Sequence, residues 1–175
     1  NIPVDHLVGA PTLASFLRGR IGRDNEEYVV VSPDLGSVTR ARNFASRLGC
    51  PLAIIDKRRQ RANVCEVMNI IGDVKGKKVI LVDDMVDTAG TITKAANLMK
   101  EKGAASVRAV ATHCIMSGPA SERVQDSALE ELVFTDSIPY SSRCAKVKQI
   151  SIADILAETI RRVENNESIS SQYLI

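Results

Sequence analysis

Aromatic residues make up only 3% of the 175-residue chain. Scattered as they are, at Tyr28, Phe44, Tyr140 and Tyr173 among others, they form no stacking platform for nucleic-acid bases. Cysteine is sparse too. Cys50, Cys65, Cys114 and Cys144 stand far apart, with no C-x-x-C pair, and the two histidines add no zinc-ligand spacing. Reduced thiols in a cytoplasmic protein are the expectation. No apolar run approaches the ~18 residues of a membrane-spanning helix, and no secretory leader pattern opens the sequence. A net charge of +2 gives no bulk attraction to nucleic acid or to a membrane surface. The sequence contains no G-x-x-x-x-G-K-[ST], no G-x-G-x-x-G and no G-x-S-x-G, so three common phosphate and nucleophile motifs are excluded.

What is present is ordinary globular composition, 45% hydrophobic and 25% charged, in a length that suits one domain with a sizeable core. Residues 1–27 are weakly patterned, with Leu13, Phe16 and Leu17 hinting at a short helix. Apolar, β-branched runs follow at 28–31 (YVVV), 52–55 (LAII), 79–82 (VILV), 106–112 (SVRAVAT), 132–135 and 147–150. Between them lie helical periodicities: Val38, Ala41, Ala45 and Leu48, with Arg40, Arg42 and Arg47 on another face; then Ile92, Ala95, Ala96 and Met99; then 120–126 and 152–163. Gly49 and Gly103 sit where helices end, and Gly72 with Gly76 brackets an expected hairpin turn into the strand at 79. This alternation predicts an α/β fold with a mostly parallel sheet and helices on both faces.

The richest stretch is 79–91, VILVDDMVDTAGT. A buried strand ends in Asp83 and Asp84, Asp87 follows, and Thr88-Ala89-Gly90-Thr91 opens a helix. Small loop residues let backbone N–H groups approach phosphate oxygens, and a helix start offers free N–H groups and a positive dipole end. Carboxylates at a strand end accept hydrogen bonds from sugar hydroxyls or help to hold Mg²⁺. The order therefore suits a sugar phosphate.

Two other strand ends carry unusual loops. SPDLGS (32–37) places Asp34 where open α/β sheets bind ligands; position alone leaves a ligand-binding acid and a turn acid equally open. DKRRQR (56–61) puts four cations directly after the strand at 52–55. Such a run is either a solvated loop or one that folds over an anionic substrate. His113, at another strand end without a metal-spaced partner, reads as a packed or hydrogen-bonded histidine.

Acidic, basic and phosphate-cradling loops together fit phosphoryl transfer. VILVDDMVDTAGT resembles the phosphoribosyl-diphosphate loop shared by type I phosphoribosyltransferases and ribose-phosphate diphosphokinases. With VVVSPDLGSVTRAR, AIIDKRRQRANV, MNIIGDVKGK, THCIMSGPA and LAETIRR, the chain resembles the carboxyl-terminal half of the second family. That resemblance implies a type I phosphoribosyltransferase-like fold and Mg²⁺-dependent transfer of the diphosphoryl group of ATP to the C1 hydroxyl of ribose 5-phosphate. It implies that Asp83 holds ribose hydroxyls, that Asp87, Thr88, Ala89, Gly90 and Thr91 cradle the 5-phosphate, and that Asp34 is a magnesium ligand. Lys57 and Arg59 fall on the family's mobile catalytic loop, where cations offset charge growing in the transition state.

The family pattern after SPD has two glycines, whereas Gly36 here is followed by Ser37, a departure expected to be minor. The amino-terminal half of the family, which supplies much of the ATP site and packs in a hexamer, has no counterpart in residues 1–27. Asn1 opens the sequence, and a processed, trimmed or internal start is expected, with the isolated chain nearly inactive. The tail ESISSQYLI is similar to the family's carboxyl terminus, which implies phosphate or ADP regulation. A type I phosphoribosyltransferase and a non-catalytic regulatory homologue are the rival readings; the basic loop, with Lys57 and Arg59 intact, speaks against both.

Overall fold

The structure is a computed structural model in which residues 2, 4–21, 25–58, 67–141 and 144–172 are described, residues 57, 58, 67 and 68 by their backbone alone. In chain order the elements are α1 (Ala10–Ile21), β1 (Tyr28–Ser32), α2 (Val38–Leu48), β2 (Leu52–Arg58), β3 (Val67–Ile71), β4 (Lys78–Val86), α3 (Gly90–Glu101), β5 (Ser106–Cys114), α4 (Ala120–Asp126), β6 (Glu131–Thr135), β7 (Val147–Ile150) and α5 (Ala153–Glu164). Among the described residues seven strands form one sheet in the order β3-β2-β1-β4-β5-β6-β7. Every pairing is parallel except β2 with β3, which is antiparallel.

The central strands are apolar at consecutive positions because both their faces are covered. Val29, Val31, Val79 and Leu81 enter one buried cluster with Ile92, Ala95 and Met99 of α3 and Phe134 of β6. The alternate residues Val30, Ile80 and Val82 enter a second cluster with Leu13 and Leu17 of α1 and Phe44, Ala45 and Leu48 of α2. Each large side chain removed from water in this way contributes about 1.5–3 kcal/mol. The α/β fold with helices on both faces agrees with the sequence pattern.

Chain reversals follow the expected glycines. Gly49 adopts φ +69 after α2, and Cys50 N–H bonds back to Ala45 O at 3.0 Å. Gly103, at φ +87, closes α3 in the same manner, with Ala104 N–H on Met99 O at 3.0 Å. In both cases the left-handed residue satisfies carbonyls that the helix leaves open.

Two expectations need correction. β3 pairs with β2, not with β4, so the stretch from Gly72 to Gly76 is no hairpin turn; it carries the chain from the sheet edge past β2 and β1 to β4. β2 also runs on through Asp56 to Arg58, so the basic stretch starts as paired strand. Antiparallel pairing with β3, from Ile54↔Ile71 to Arg58↔Val67, draws these polar residues into the ladder. α5 shows the expected amphipathic pattern, yet none of its residues is buried, and Leu156, Ile160 and Val163 are exposed. No helix among the described residues is long and apolar enough to cross a membrane.

Candidate phosphate and sugar site

Strand order reverses at β1. The chain leaves β1 for β2 on one side, and β4 lies on the other. In open α/β sheets the loops part at such a point, and a crevice opens outside the carboxyl ends of the strands. The loop after β1 carries Asp34, and the end of β4 carries Asp83 and Asp84. An open cleft of about 200 Å³ lies here, lined by Asp34, Asp83 and residues 85–92.

Asp34 is fixed by its own turn. Its Oδ1 accepts the Ser37 N–H at 2.9 Å, and Ser32 Oγ donates to its carbonyl at 2.7 Å. The carboxylate thus caps the entry to α2 while standing beside Asp83. Its geometry is that of a turn acid, and the same residue lines the cleft.

Asp83 and Asp84 are held by groups the sequence did not flag. Ser37 Oγ donates to Asp83 Oδ1 at 3.2 Å. Arg40 reaches across with Nη2 3.0 Å from Asp84 Oδ2 and Nη1 3.5 Å from Asp83 Oδ1. Its Nη1 also donates to Ser37 Oγ at 3.1 Å. Arg40 is therefore the counter-cation of the acidic pair rather than an outward helix charge. Ser37, in the place where a second glycine was expected, has φ −92 and is buried. The backbone there does not require glycine, and the hydroxyl links the β1 loop to β4.

Burial pushes the Asp83 carboxyl up to about 6, and the neighbouring charges of Asp84 and Asp34 add to the effect. Asp84 lies below the ordinary carboxylate range: its partial burial opposes this, but the hydrogen bond with Asp83 and the Arg40 charge outweigh it. A half-buried acid that resists ionisation beside two others suits a cation. Among the described residues no cluster of three or more His, Cys, Asp or Glu could hold a metal by itself. Asp34 and Asp83, both on the cleft, are the donor type Mg²⁺ takes one or two at a time, its shell being completed by water and substrate phosphates.

The loop into α3 is built for close approach. Ala89 is buried and left-handed, at φ 60, and α3 starts directly at Gly90. A Cβ added at Gly90 would meet protein atoms only at 3.8 Å, and the φ of Gly90 is not positive. Neither the backbone nor the protein's own packing demands glycine there; its missing side chain keeps the cleft clear. The N–H groups of Gly90, Thr91 and Ile92 begin the helix and have no intrahelical acceptor. Asp87 is turned to the protein: Ser117 Oγ bonds to its carboxylate, and Ser117 N–H donates to its carbonyl at 3.0 Å. Arg123 Nη1 donates to Thr88 O at 2.9 Å.

The structure thus gathers Asp34, Asp83, Asp87, Thr88, Ala89, Gly90 and Thr91 around one cleft. Lys57 lies on β2, its side chain undescribed, and Arg59 lies outside the described residues. Ser37, Arg40, Ser117 and Arg123 were missed. Only Ser37 and Arg40 carried a signal, an i, i+3 spacing just beyond SPD. His113 is hydrogen-bonded as expected, its Nδ1 2.9 Å from Ser137 Oγ. Cys50, Cys114 and Cys144 are free and buried. Burial raises the Cys114 thiol to about 11, which makes it a poor nucleophile.

The chain is 55% identical over 175 residues to ribose-phosphate pyrophosphokinase of Clostridium perfringens, covering 99% of the chain and 55% of that protein. Ribose-phosphate pyrophosphokinase of Bacillus subtilis is 52% identical, with 97% and 53% covered. The chain spans about half the length of the curated relatives it matches. The crystal structure of phosphoribosylpyrophosphate synthetase from Mycobacterium smegmatis superposes with a TM-score of 0.84 at 41% identity, over 94% of this chain and 53% of that one. Purine phosphoribosyltransferase from Pyrococcus horikoshii, 20% identical with a TM-score of 0.50 over 82% and 78% of the two chains, shares the fold. The phosphoribosyl synthetase-associated domain matches residues 59–174, a stretch that holds the Asp83 pair, the α3 loop and both anchors Ser117 and Arg123, and this chain belongs to that family.

Proposed function

We propose that this chain carries the ribose 5-phosphate site of a ribose-phosphate diphosphokinase, which transfers the diphosphoryl group of ATP to the C1 hydroxyl of ribose 5-phosphate and releases AMP. The observation that supports it best is the cleft at the β1/β4 crevice, whose lining joins Asp34 and Asp83 with the start of α3. The N–H groups of that helix start, with the loop backbone of residues 87–89 that leads into them, bind the 5-phosphate. Asp87 contributes through its backbone, since its carboxylate is engaged by Ser117. Asp83 accepts hydrogen bonds from ribose hydroxyls.

Asp34, beside Asp83, is the residue that would hold Mg²⁺. When bound, the ion supplies charge neutralisation for the polyphosphate. Lys57 and Arg59, assigned through the family resemblance, stabilise charge on the transferred group, lysine as a point charge and arginine as a fork. The reading takes residues 1–175 as one domain of an enzyme of the relatives' length. It carries assembly into a homo-oligomer, a phosphate or ADP effector and a cytoplasmic location. Because the chain spans about half of its relatives, it is expected to bind ribose 5-phosphate but to release almost no AMP by itself.

Calorimetric titration of the chain with ribose 5-phosphate tests the reading. One-site binding is expected, weaker for inorganic phosphate and undetectable for ribose. Absence of ribose 5-phosphate binding at millimolar concentration overturns it. Within an enzyme of the relatives' full length, AMP rather than free diphosphate is the expected product; diphosphate release would favour a phosphoribosyltransferase. There, Lys57→Ala should lose turnover and keep ribose 5-phosphate binding, and persistent turnover refutes its role.

A further inference from the structure

Two independent features meet at Arg123. The first is mechanical. Ala89 holds a left-handed backbone at φ 60, which costs a residue with a side chain on the order of 1 kcal/mol and persists only when its surroundings hold it. The preceding carbonyl, Thr88 O, accepts a 2.9 Å bond from Arg123 Nη1. Arg123 belongs to α4, a separate element packed against α3, so the loop is tied to a part of the fold it does not itself build.

The second feature is electrical. Arg20, Arg40, Arg108, Arg161 and Arg162 all face carboxylates. Among the described residues, no carboxylate forms an ion pair with Arg123. Its Nη1 lies 3.8 Å from the point where a Gly90 side chain would begin. A guanidinium with no ion pair to a carboxylate among the described residues therefore stands beside the N-terminus of α3 and adds to the positive end of the helix dipole.

We infer that Arg123 is a positioning residue for the phosphate end of the site: it pins the Thr88 carbonyl so that the loop keeps its turn into α3, and its free positive charge raises the affinity of that turn for a phosphate group. Arg123 acts through the loop and through its field. The inference rests on the ribose 5-phosphate reading above and deepens it.

Titration calorimetry with ribose 5-phosphate and with inorganic phosphate, on the 175-residue chain and its Arg123→Met, Arg123→Gln and Arg123→Lys variants, tests the role. Arg123→Met removes both the bond and the charge, and binding of both ligands is expected to weaken roughly tenfold. Arg123→Lys keeps the charge and a donor and should stay within about threefold of the parent. Arg123→Gln removes the charge and keeps a polar amide, on a stem two atoms shorter than the one that carries Nη1 to Thr88. It should bind with intermediate affinity and a shallower dependence on salt, a readout that a purely structural role leaves unmoved. If Arg123→Met melts early, Arg123→Gln still separates charge from scaffold. Equal binding by Arg123→Met and the parent overturns the role of Arg123, as does a loss in Arg123→Lys as large as in Arg123→Met. Failure of the parent chain to bind ribose 5-phosphate removes the functional reading and this role with it.

Discussion

Replacing Asp83 by Asn should stabilise the unliganded chain while damaging its site. The Asp83 carboxyl is raised from an ordinary 3.8 to about 6, chiefly by burial. Its native form therefore holds the proton more tightly than its unfolded form. Asp83 contributes stability below about pH 4, and that contribution is lost as pH rises through about 6. Above that pH the fold carries an ion it would prefer neutral. The interval between the two values is equivalent to about 3 kcal/mol. The side chain retains 15% exposure and faces an open cleft, so solvent screening reduces this to about 1–2 kcal/mol. In a domain of this size 1 kcal/mol moves Tm by about 2–4 °C. Asp83→Asn should thus melt about 2–8 °C above the parent at pH 8, and the difference should vanish towards pH 4. Thermal melts followed by circular dichroism across that range provide the measurement. The same variant should bind ribose 5-phosphate at least about tenfold more weakly, since hydrogen bonds to a charged acceptor contribute about 1.5–3 kcal/mol. An unchanged or lower Tm at pH 8, or a gain that does not shrink with acid, refutes the account of Asp83 as a strained acid kept for its ligand.

Further outcomes follow from the same geometry. Gly90→Ala should leave Tm within about 1 °C, because a Cβ meets nothing closer than 3.8 Å, yet it should weaken ribose 5-phosphate binding roughly tenfold by filling the cradle; calorimetry and melting together decide this. Ser37→Gly removes the hydroxyl between Asp83 and Arg40 and should lower stability by about 1 kcal/mol in urea denaturation, whereas a neutral result would make the serine interchangeable with the family's glycine. Phe134→Ala empties a fully buried position of the core shared with α3. It should cost about 3–5 kcal/mol by the same method, and a loss below 1 kcal/mol contradicts the packing.

The elements of this fold were legible because their signals are local. A run such as VILV reports burial on both faces. Ile92, Ala95, Ala96 and Met99 report one helix face, and Gly49 and Gly103 report helix ends. The phosphate loop was legible for the same reason, since Asp87, Thr88, Ala89, Gly90 and Thr91 are consecutive and the helix they open follows at once. The cations of residues 57–61 were legible as composition but not as conformation. Pairing with β3, an event between separate stretches, turned the first of them into strand.

What the sequence by itself determined is therefore the inventory: strands, helices, a sugar-phosphate loop and two further loops of chemical interest. Tertiary structure alone decided how these meet. Sheet order sets β1 against β4 and brings Ser37 to Asp83 and Arg40 to Asp84, over 46 and 44 residues of chain. It likewise brings Ser117 to Asp87 and Arg123 to Thr88, over 30 and 35 residues. No periodicity encodes such pairs, because side-chain pattern records which face of an element is buried and not which element lies beside it. The raised Asp83 carboxyl is of the same kind: three acids become one electrostatic problem only after two strand ends have been packed side by side.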